Sequence, residues 1–258
     1  MDAVRRVALV GAKGGSGTTL LAANLGAVAQ RGGSSCVLDL DCRKGDLAAL
    51  LDVRPKVIVP ELWGSDCDAS RLRGSASHLP GGLCILGQPD AMAQLARPLP
   101  TEALGLLALA AAAWDTLVVD CGAGLDEVMV AVLAEVDAVV IVATPDVLAV
   151  RNARRLDAVL GQVGVPEARR LVVLNRVDRH DAFDTADIEA AARVHVAARL
   201  PRDDAACARA VGEGALLADV APGSPLVRAV EDLWSLVRGE PLAPRTSRWR
   251  IPWLGGEP

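Results

Sequence analysis

Apolar stretches and helical patterns alternate along the whole chain. The apolar stretches, such as Val7-Ala8-Leu9-Val10, carry no regular polar positions, which is typical of strands buried on both faces. Such strands are predicted at Arg6–Val10, Ser35–Asp39, Leu83–Leu86, Thr116–Asp120, Ala138–Ala143, Arg170–Leu174 and around Val194–Leu200. Helices are predicted at Thr19–Gln30, Glu102–Ala113, Asp126–Glu135, Val147–Val163, Ala186–Ala192, Ala205–Glu213 and Pro225–Arg238. The alternation predicts an α/β fold with a mostly parallel sheet covered by helices on both faces, and a ligand site beyond the carboxyl ends of the strands.

The chain divides by composition into one predicted domain and a tail. Residues 1–238 carry the alternating pattern and show no internal repeat. Within them, residues 52–82 are richer in glycine, proline and serine, which predicts an irregular segment between strands. Residues 239–258 are rich in proline, glycine and arginine, so we expect a tail outside the domain.

Aliphatic residues dominate the composition, which includes no tyrosine and one phenylalanine and is 52% hydrophobic. No unbroken apolar run approaches the roughly 18 residues of a transmembrane helix, and no signal peptide opens the chain, so we expect a cytoplasmic protein. The six cysteines lack C-x-x-C pairing and histidine partners at metal spacing, which favours buried thiols over a metal site. The net charge of −5 argues against a chain built wholly around nucleic-acid binding, but it allows a local basic face.

A glycine-rich loop follows the first predicted strand and precedes the first predicted helix. Its sequence is Gly11-Ala12-Lys13-Gly14-Gly15-Ser16-Gly17-Thr18-Thr19. Backbone N–H groups of such a loop, together with the helix N-terminus, bind phosphate oxygens. Relative to the pattern G-x-x-x-x-G-K-[ST], Ala12 replaces the first glycine and Thr18 replaces the lysine that reaches the β- and γ-phosphates. Thr19 keeps the hydroxyl that binds Mg²⁺, and Lys13 is the one cation left in the loop.

Carboxylates follow two of the predicted strands. Asp39 and Asp41 come at the end of the second strand, and Asp120 ends the strand before Cys121-Gly122-Ala123-Gly124. A carboxylate is tolerable beside a triphosphate when it faces Mg²⁺ or water. Asp120 therefore suits Mg²⁺, and Asp41 suits the orientation of a hydrolytic water.

These motifs resemble those of the MinD/ParA superfamily. The matching segments are the loop with its early lysine (a deviant Walker A loop), Asp39-Leu40-Asp41 with Gly45-Asp46, the Asp120 motif, Thr144-Pro145-Asp146, Leu174-Asn175-Arg176-Val177-Asp178 and Leu200-Pro201-Arg202-Asp203. A hydroxyl residue at the loop-lysine position, and Asp-Leu-Asp before Gly-Asp, resemble the CpaE/TadZ branch. That branch positions Tad-type (Flp) pilus secretion machinery and includes actinobacterial septum-site-determining homologues. The similarity covers roughly Val4 to Arg238.

The resemblance implies a P-loop NTPase three-layer sandwich that binds ATP and Mg²⁺, forms a homodimer with ATP and positions pilus, secretion or division proteins. It implies weak ATP hydrolysis, because Thr18 lacks the lysine charge. It also implies a cytoplasmic protein that acts peripherally at the inner face of the cell membrane, a pole or the septum. The implied ATP-binding residues are Gly14, Gly15, Ser16, Gly17, Thr18 and Thr19 in the loop, with Asn175, Pro201 and Asp203 at the adenine. The implied catalytic residues are Lys13, which reaches the partner's nucleotide, and Asp41, while Thr19 and Asp120 hold Mg²⁺. A plain strand-end cap is the alternative for Asn175.

Two further features leave alternatives open. Arg151, Arg154 and Arg155 share one helix face, which is either solvated and ion-paired or binds DNA without sequence preference. A ParA-like DNA-partition ATPase is therefore the alternative function. The tail sets two tryptophans among arginines, which suits a weak peripheral membrane contact, but Pro252 interrupts any helix and favours a disordered tail. A metabolic kinase on the same loop would need an acceptor-binding motif, and the sequence shows none.

Overall fold

Eight strands form a single sheet in the part of the chain that the structure describes. The strands are β1 (Arg6–Gly11), β2 (Ser35–Asp39), β3 (Ser77–His78), β4 (Cys84–Leu86), β5 (Thr116–Ala123), β6 (Ala138–Ala143), β7 (Arg170–Val177) and β8 (Val196–Pro201). The computed structural model describes residues 5–64, 67–90, 96–178, 188–190 and 193–240. In space the strands lie in the order β3-β4-β2-β5-β1-β6-β7-β8, and all neighbours are parallel except β3, which runs antiparallel to β4. The predicted mostly parallel sheet is confirmed.

Helices cover both faces of this sheet. They are α1 (Thr18–Gln30), α2 (Leu47–Leu50), α3 (Ala69–Ser75), α4 (Pro100–Ala113), α5 (Glu127–Glu135), α6 (Val147–Gln162), α7 (Asp204–Glu213), α8 (Leu217–Val220) and α9 (Pro225–Val237), with 3₁₀ turns at Val59–Leu62 and Glu167–Arg169. The buried residues of α3 to α6 belong to the core on one face, and those of α1, α2 and α7 to α9 belong to the core on the other. The result is a three-layer α/β fold.

The two cores follow from the strand period of two. In β1, Ala8 and Val10 face one core while Val7 and Leu9 face the other, and all four are fully buried. On the second face, α1 lies close to the sheet at Gly26, where a Cβ atom would be 2.4 Å from Cγ2 of Val37. This close approach fixes α1, and with it the loop that precedes α1, over the sheet.

The point where the chain reverses across the sheet lies at β1. From β1 the chain crosses one face through α1 to reach β2, and from β5 it crosses the other face through α5 to reach β6. Such a reversal opens a crevice beyond the carboxyl ends of the strands, where α/β proteins bind ligands. The glycine-rich loop follows β1 directly into that crevice.

Most of the predicted helices and strands are observed within two residues of their predicted bounds, but two strands run longer. β5 resumes pairing with β1 after a bulge, through Gly11 and Ala123. Likewise β7 pairs with β8 as far as Val177. Asp120 and Asn175 therefore lie within their strands rather than at the strand ends.

The segment 52–82, which was predicted to be irregular, also contains short regular elements. This stretch contains the Val59–Leu62 turn, α3 and β3. Asp68 caps α3 by accepting the N–H of Arg71 at 2.7 Å, and Leu72 is fully buried against the sheet. Such short elements depend on tertiary burial more than on periodicity.

Two predictions fall largely on residues that the structure leaves undescribed. Of the helix predicted at 186–192, residues 188–190 are helical and the rest lie outside the described residues. The predicted tail lies outside them from residue 241 onward. No described helix combines the length and hydropathy that spanning a membrane requires.

Candidate functional site

The glycine-rich loop is closed by its own polar groups. The Ser16 hydroxyl donates to the carbonyl oxygen of Lys13 at 2.8 Å, and the Ser16 N–H points to the same oxygen at 3.4 Å. Gly15 and Gly17 have φ angles of +78° and +87°, which side chains with a Cβ rarely adopt. No side chain caps α1, so the N–H groups of its first turn keep their capacity to bind an anion.

An open cleft of about 870 Å³ lies against this loop, within the range of pockets that hold cofactor-sized ligands. The predicted site residues that line it are Lys13, Gly14, Gly15, Ser16, Gly17, Thr18, Thr19, Asp41, Asn175, Pro201 and Asp203. Asp120 does not line the cleft, because its side chain is fully buried in the sheet. The structure thus brings together in one cleft residues that lie as far apart in sequence as Lys13 and Asp203.

Two buried carboxyl groups lie side by side in the sheet. Asp39 and Asp120 are register partners on β2 and β5, and both are fully buried. Asp39 accepts the N–H groups of Asp41 at 2.9 Å and Leu47 at 3.2 Å. Asp120 accepts the Gly122 N–H on Oδ1 at 3.1 Å, whereas its Oδ2 is buried with no hydrogen-bond partner among the described residues.

Burial disfavours the charged form of both carboxyl groups. It raises the pKa of Asp39 well above its usual range, and the neighbouring charge of Asp120 adds to the rise. Burial also raises the pKa of Asp120 to about 6, against the opposing effects of the Thr19 hydroxyl and the Gly122 N–H. A cation at this place would remove much of the cost of ionising Asp120.

The residues around Asp120 fit Mg²⁺. Oδ2 of Asp120 needs a partner, and the Thr19 hydroxyl lies close enough to affect that carboxyl group. Within the described residues there is no group of three or more His, Cys, Asp or Glu side chains that could hold a metal ion alone. Mg²⁺ typically uses one or two protein ligands together with water and substrate phosphates, which matches this donor set.

Asp41 occupies the mouth of the cleft above the end of β5. Its Oδ1 accepts the N–H of Arg43 at 3.1 Å. A Cβ on Gly122, which has a φ of +60°, would lie 2.1 Å from Oδ2 of Asp41. Glycine at position 122 is therefore needed for the Asp41 carboxylate to reach the position where it could orient a water.

Lys13 is bound to a carboxylate of its own subunit. Its Nζ lies 2.6 Å from Oδ2 of Asp146, which also accepts the Thr144 hydroxyl and caps α6 through the N–H of Ala149. Burial raises the pKa of Asp146, but the hydrogen bonds from Lys13 and Thr144 outweigh it and leave that pKa below its ordinary value. Lys13 must leave this ion pair before it can reach a second subunit.

Asn175 holds the glycine-rich loop through a hydrogen bond to the backbone of the loop. Its Nδ2 donates to the carbonyl oxygen of Ser16 at 2.8 Å, its Oδ1 accepts the N–H of Arg176, and its side chain is buried. A Cβ on Gly17 would lie 2.5 Å from the same Nδ2. These contacts attach β7 to the loop, and the contact of Asn175 with adenine stays a prediction.

The far end of the cleft is formed by β8 and α7. Asp203 caps α7 through the N–H of Ala206 at 3.1 Å and accepts the Ser224 hydroxyl at 2.6 Å, so its carboxylate is held in one place. Pro201 and the half-exposed Val211 line the same end. The mixture of apolar surface and a fixed carboxylate suits a nucleotide base.

Several cleft residues were not among the predicted site residues, and two of them, Lys44 and Arg176, carry a positive charge at informative positions. Lys44 lines the cleft three residues beyond Asp41, and its only sequence signal is a positive charge next to the Gly45-Asp46 pair. Arg176 lines the cleft in the left-handed region at φ +61°, a conformation that costs a residue with a Cβ about 1–2 kcal/mol. Backbone strain of this kind leaves no sequence signal.

Comparison with known proteins finds relatives in sequence and in structure. No protein-family model matches the chain. A putative septum site-determining protein MinD of Guillardia theta is 28% identical over 207 residues, which cover 78% of this chain and 76% of that protein. A ParA family ATPase from Chlorobium tepidum superposes with a TM-score of 0.83 at 26% identity, covering 90% of this chain and 99% of that chain.

The fold has further solved relatives at lower identity. The septum site-determining protein MinD of Pyrococcus horikoshii, complexed with Mg-ADP, superposes with a TM-score of 0.77 at 20% identity. It covers 90% of this chain and 95% of that chain. The fold is the α/β fold of the ParA/MinD P-loop NTPases, and the chain is similar in sequence to a MinD protein and in sequence and structure to a ParA family ATPase.

Proposed function

We propose that this chain is an ATP-binding localisation protein of the MinD/ParA type, which dimerises with ATP and resembles the CpaE/TadZ branch most closely. The observation that supports it best is the glycine loop between β1 and α1, which lines an open cleft above the unpartnered Oδ2 of Asp120. The name of the Guillardia theta relative supports a role in positioning a cellular structure. In this proposal residues 1–238 form the ATP-binding domain and residues 239–258 a tail outside it.

Each part of the cleft has a role in this proposal. The N–H groups of loop residues 14–19 bind the phosphates, and Thr19 and Asp120 hold Mg²⁺, which would neutralise phosphate charge when bound. Pro201 and Asp203 lie at the adenine end, and Asp41 orients the hydrolytic water. Hydrolysis is weak, because removing one stabiliser of developing charge typically costs about 10²–10³ in rate and Thr18 carries no charge.

Dimerisation follows from the position of Lys13. Lys13 and Asp146 are each about 40% exposed, so their ion pair is screened by solvent and can be exchanged for a phosphate. If Lys13 then reaches the nucleotide of the second subunit, ATP binds the dimer better than the monomer and drives assembly. The proposal places the protein in the cytoplasm, peripherally at the cell membrane, a pole or the septum, with pilus, secretion or division proteins as partners.

The first test measures ATP binding by calorimetry in the presence of Mg²⁺. Gly17→Val should abolish binding, since a side chain there meets Nδ2 of Asn175 and φ is +87°. An unchanged affinity in this variant would reject the loop as the ATP site. The control is Gly105→Ala, whose new Cβ would have no atom within 4 Å and which should bind ATP like the wild type.

The second test is light scattering of the wild type and of Lys13→Ala, with and without ATP and Mg²⁺. The wild type should become a dimer with ATP, and Lys13→Ala should stay a monomer with weaker nucleotide binding. Lys56→Ala, at an exposed position away from the cleft, is the matched control and should dimerise like the wild type. A wild type that stays monomeric at saturating ATP, or a Lys13→Ala variant that dimerises normally, contradicts the role of Lys13 in the partner subunit.

A ParA-like DNA-partition ATPase is the second candidate, and one observation favours it. Arg151, Arg154 and Arg155 are all exposed on α6, and none of them forms an ion pair with a described residue. Three such arginines could bind DNA phosphates. DNA affinity that falls steeply with salt, and that Arg154→Ala weakens, would favour this function, whereas no DNA binding at low salt would exclude it.

A further inference from the structure

The phosphate end of the cleft lacks a lysine at the usual place. Thr18 is 6% exposed, and its hydroxyl oxygen lies 2.6 Å from the position that a Cβ on Gly11 would occupy. The Thr18 side chain thus faces the end of β1 and carries no charge. Lys13, the other candidate, is paired with Asp146 at 2.6 Å. A positive charge that binds the phosphates within the same subunit must therefore come from a residue other than Thr18 and the paired Lys13.

Lys44 is a second lysine beside the glycine loop. The chain has three lysines, Lys13, Lys44 and Lys56. Nζ of Lys44 lies 4.0 Å from the position of a Cβ on Gly14, and Lys44 lines the cleft together with the loop. No carboxylate among the described residues forms an ion pair with it. Its ammonium group is thus free at the loop surface where phosphate oxygens would bind.

The turn that carries Lys44 is fixed from both sides. The Lys44 N–H donates to the Asp41 carbonyl oxygen at 3.3 Å, and the Arg43 N–H donates to the Asp41 carboxylate. Gly45 has a φ of +64°, and a Cβ there would lie 2.3 Å from Cβ of Gln88. The backbone at Lys44 is therefore anchored against the sheet, and only the flexible side chain needs to adjust to a ligand.

We propose that Lys44 binds the terminal phosphates of the nucleotide within its own subunit and supplies the positive charge that position 18 lacks. A lysine acts as a compact point charge toward phosphate, and its four-carbon stem lets it follow the phosphate without a fixed geometry. This proposal rests on the proposed ATP-binding function. It differs from the role of Lys13, which acts toward the second subunit.

Calorimetry with ATP and Mg²⁺ tests the role of Lys44. Lys44→Ala should weaken ATP binding about 10- to 100-fold, as expected for loss of one charge-assisted hydrogen bond, and should leave AMP binding unchanged. Lys56→Ala is the matched control and should bind ATP like the wild type. In the Lys44→Ala background, Thr18→Lys should restore most of the lost affinity, because it returns a lysine to the loop.

The outcomes separate the two proposals. If the wild type binds no ATP, the proposed function fails. If the wild type binds ATP and Lys44→Ala binds it equally well, Lys44 has no role at the phosphates and this inference fails alone. Since Lys44 is exposed, circular dichroism of Lys44→Ala should match that of the wild type.

Lysine acylation read by mass spectrometry gives a second measurement that needs no variant. With three lysines in the chain, each modified peptide can be assigned to one residue. Saturating ATP and Mg²⁺ should lower the acylation rate of Lys44 at least severalfold while that of Lys56 stays constant. A Lys44 that reacts as fast with ATP as without it overturns the inference.

Discussion

The burial of Asp39 and Asp120 predicts that removing the charge of one of them stabilises the protein. Asp120→Asn should raise the free energy of unfolding of the protein without nucleotide or metal at neutral pH. The asparagine Oδ1 can still accept the Gly122 N–H, so the change removes the buried charge and keeps the hydrogen bond at 3.1 Å. Oδ2, which the asparagine Nδ2 would replace, has no hydrogen-bond partner among the described residues.

The size of the effect follows from the pKa of Asp120, which burial raises from 3.8 to about 6. A shift of about two units corresponds to about 3 kcal/mol of unfavourable folding free energy when the group is ionised. Part of this cost is shared with Asp39, whose pKa burial and the Asp120 charge also raise. We therefore expect Asp120→Asn to stabilise the protein by about 1–3 kcal/mol at neutral pH.

The pH dependence has a definite sign. Between about pH 4 and about pH 6 the native wild type binds more protons than the unfolded chain. The free energy of unfolding of the wild type is therefore not reduced by Asp120 near pH 4, and it falls as the pH rises through about 6. The advantage of Asp120→Asn should be largest at neutral pH and should shrink toward about pH 4. Added Mg²⁺ and ATP should stabilise the wild type more than the variant.

Urea unfolding of both proteins in EDTA, at neutral pH and near pH 5, measures this difference. Asp115→Asn is a control of opposite direction, because hydrogen bonds from Ser34 lower the pKa of that exposed carboxyl group. It should not stabilise the protein at neutral pH. An Asp120→Asn variant less stable than the wild type at neutral pH, or a difference that does not shrink in acid, would refute the reasoning.

Two other predictions follow from contacts around the loop and Asp41. Asn175→Ala removes the hydrogen bond that holds the Ser16 carbonyl, so calorimetry should show an ATP affinity lower by about tenfold, consistent with about 1–2 kcal/mol; an unchanged affinity would mean that β7 does not support the loop. Gly122→Ala puts a Cβ against Asp41 at φ +60°, so urea unfolding should show a loss of about 1–3 kcal/mol. Gly105→Ala, inside α4 with open space around it, should instead keep or slightly raise stability, and equal behaviour of the two glycine variants would contradict the argument.

The sheet and its long helices were predictable because their signals are local. Strands with an unbroken apolar run, such as Val7–Val10 in β1 and all of β6, are buried on both faces, which predicts helices on both faces of the sheet. The predicted site residues that line the cleft lie in the loop and near strand ends, where motif and topology coincide. The helix α3 within the segment 52–82 was missed, because it is short and is held by one cap and by Leu72 in the core.

The contacts that organise the site were not predictable, because they join residues far apart in sequence. Asn175 meets Ser16 across 159 positions, and Lys13 meets Asp146 across 133. Neither pairing has a periodicity or a spacing that marks it. The position of the Lys44 ammonium likewise depends on a turn anchored by Gln88, 44 positions further along the chain.

Asp146 links two events that occur on different surfaces. The carboxylate that pairs with Lys13 also caps α6, and the first turn of α6 exposes Val147 and Leu148, each 66% accessible. A ligand that draws Lys13 away and a protein that covers this apolar turn therefore both act on the surroundings of one side chain. By thermodynamic linkage, if the ligand changes the affinity for that protein by some factor, the protein changes the affinity for the ligand by the same factor. Any coupling between the cleft and the first turn of α6 would therefore act in both directions through the surroundings of Asp146.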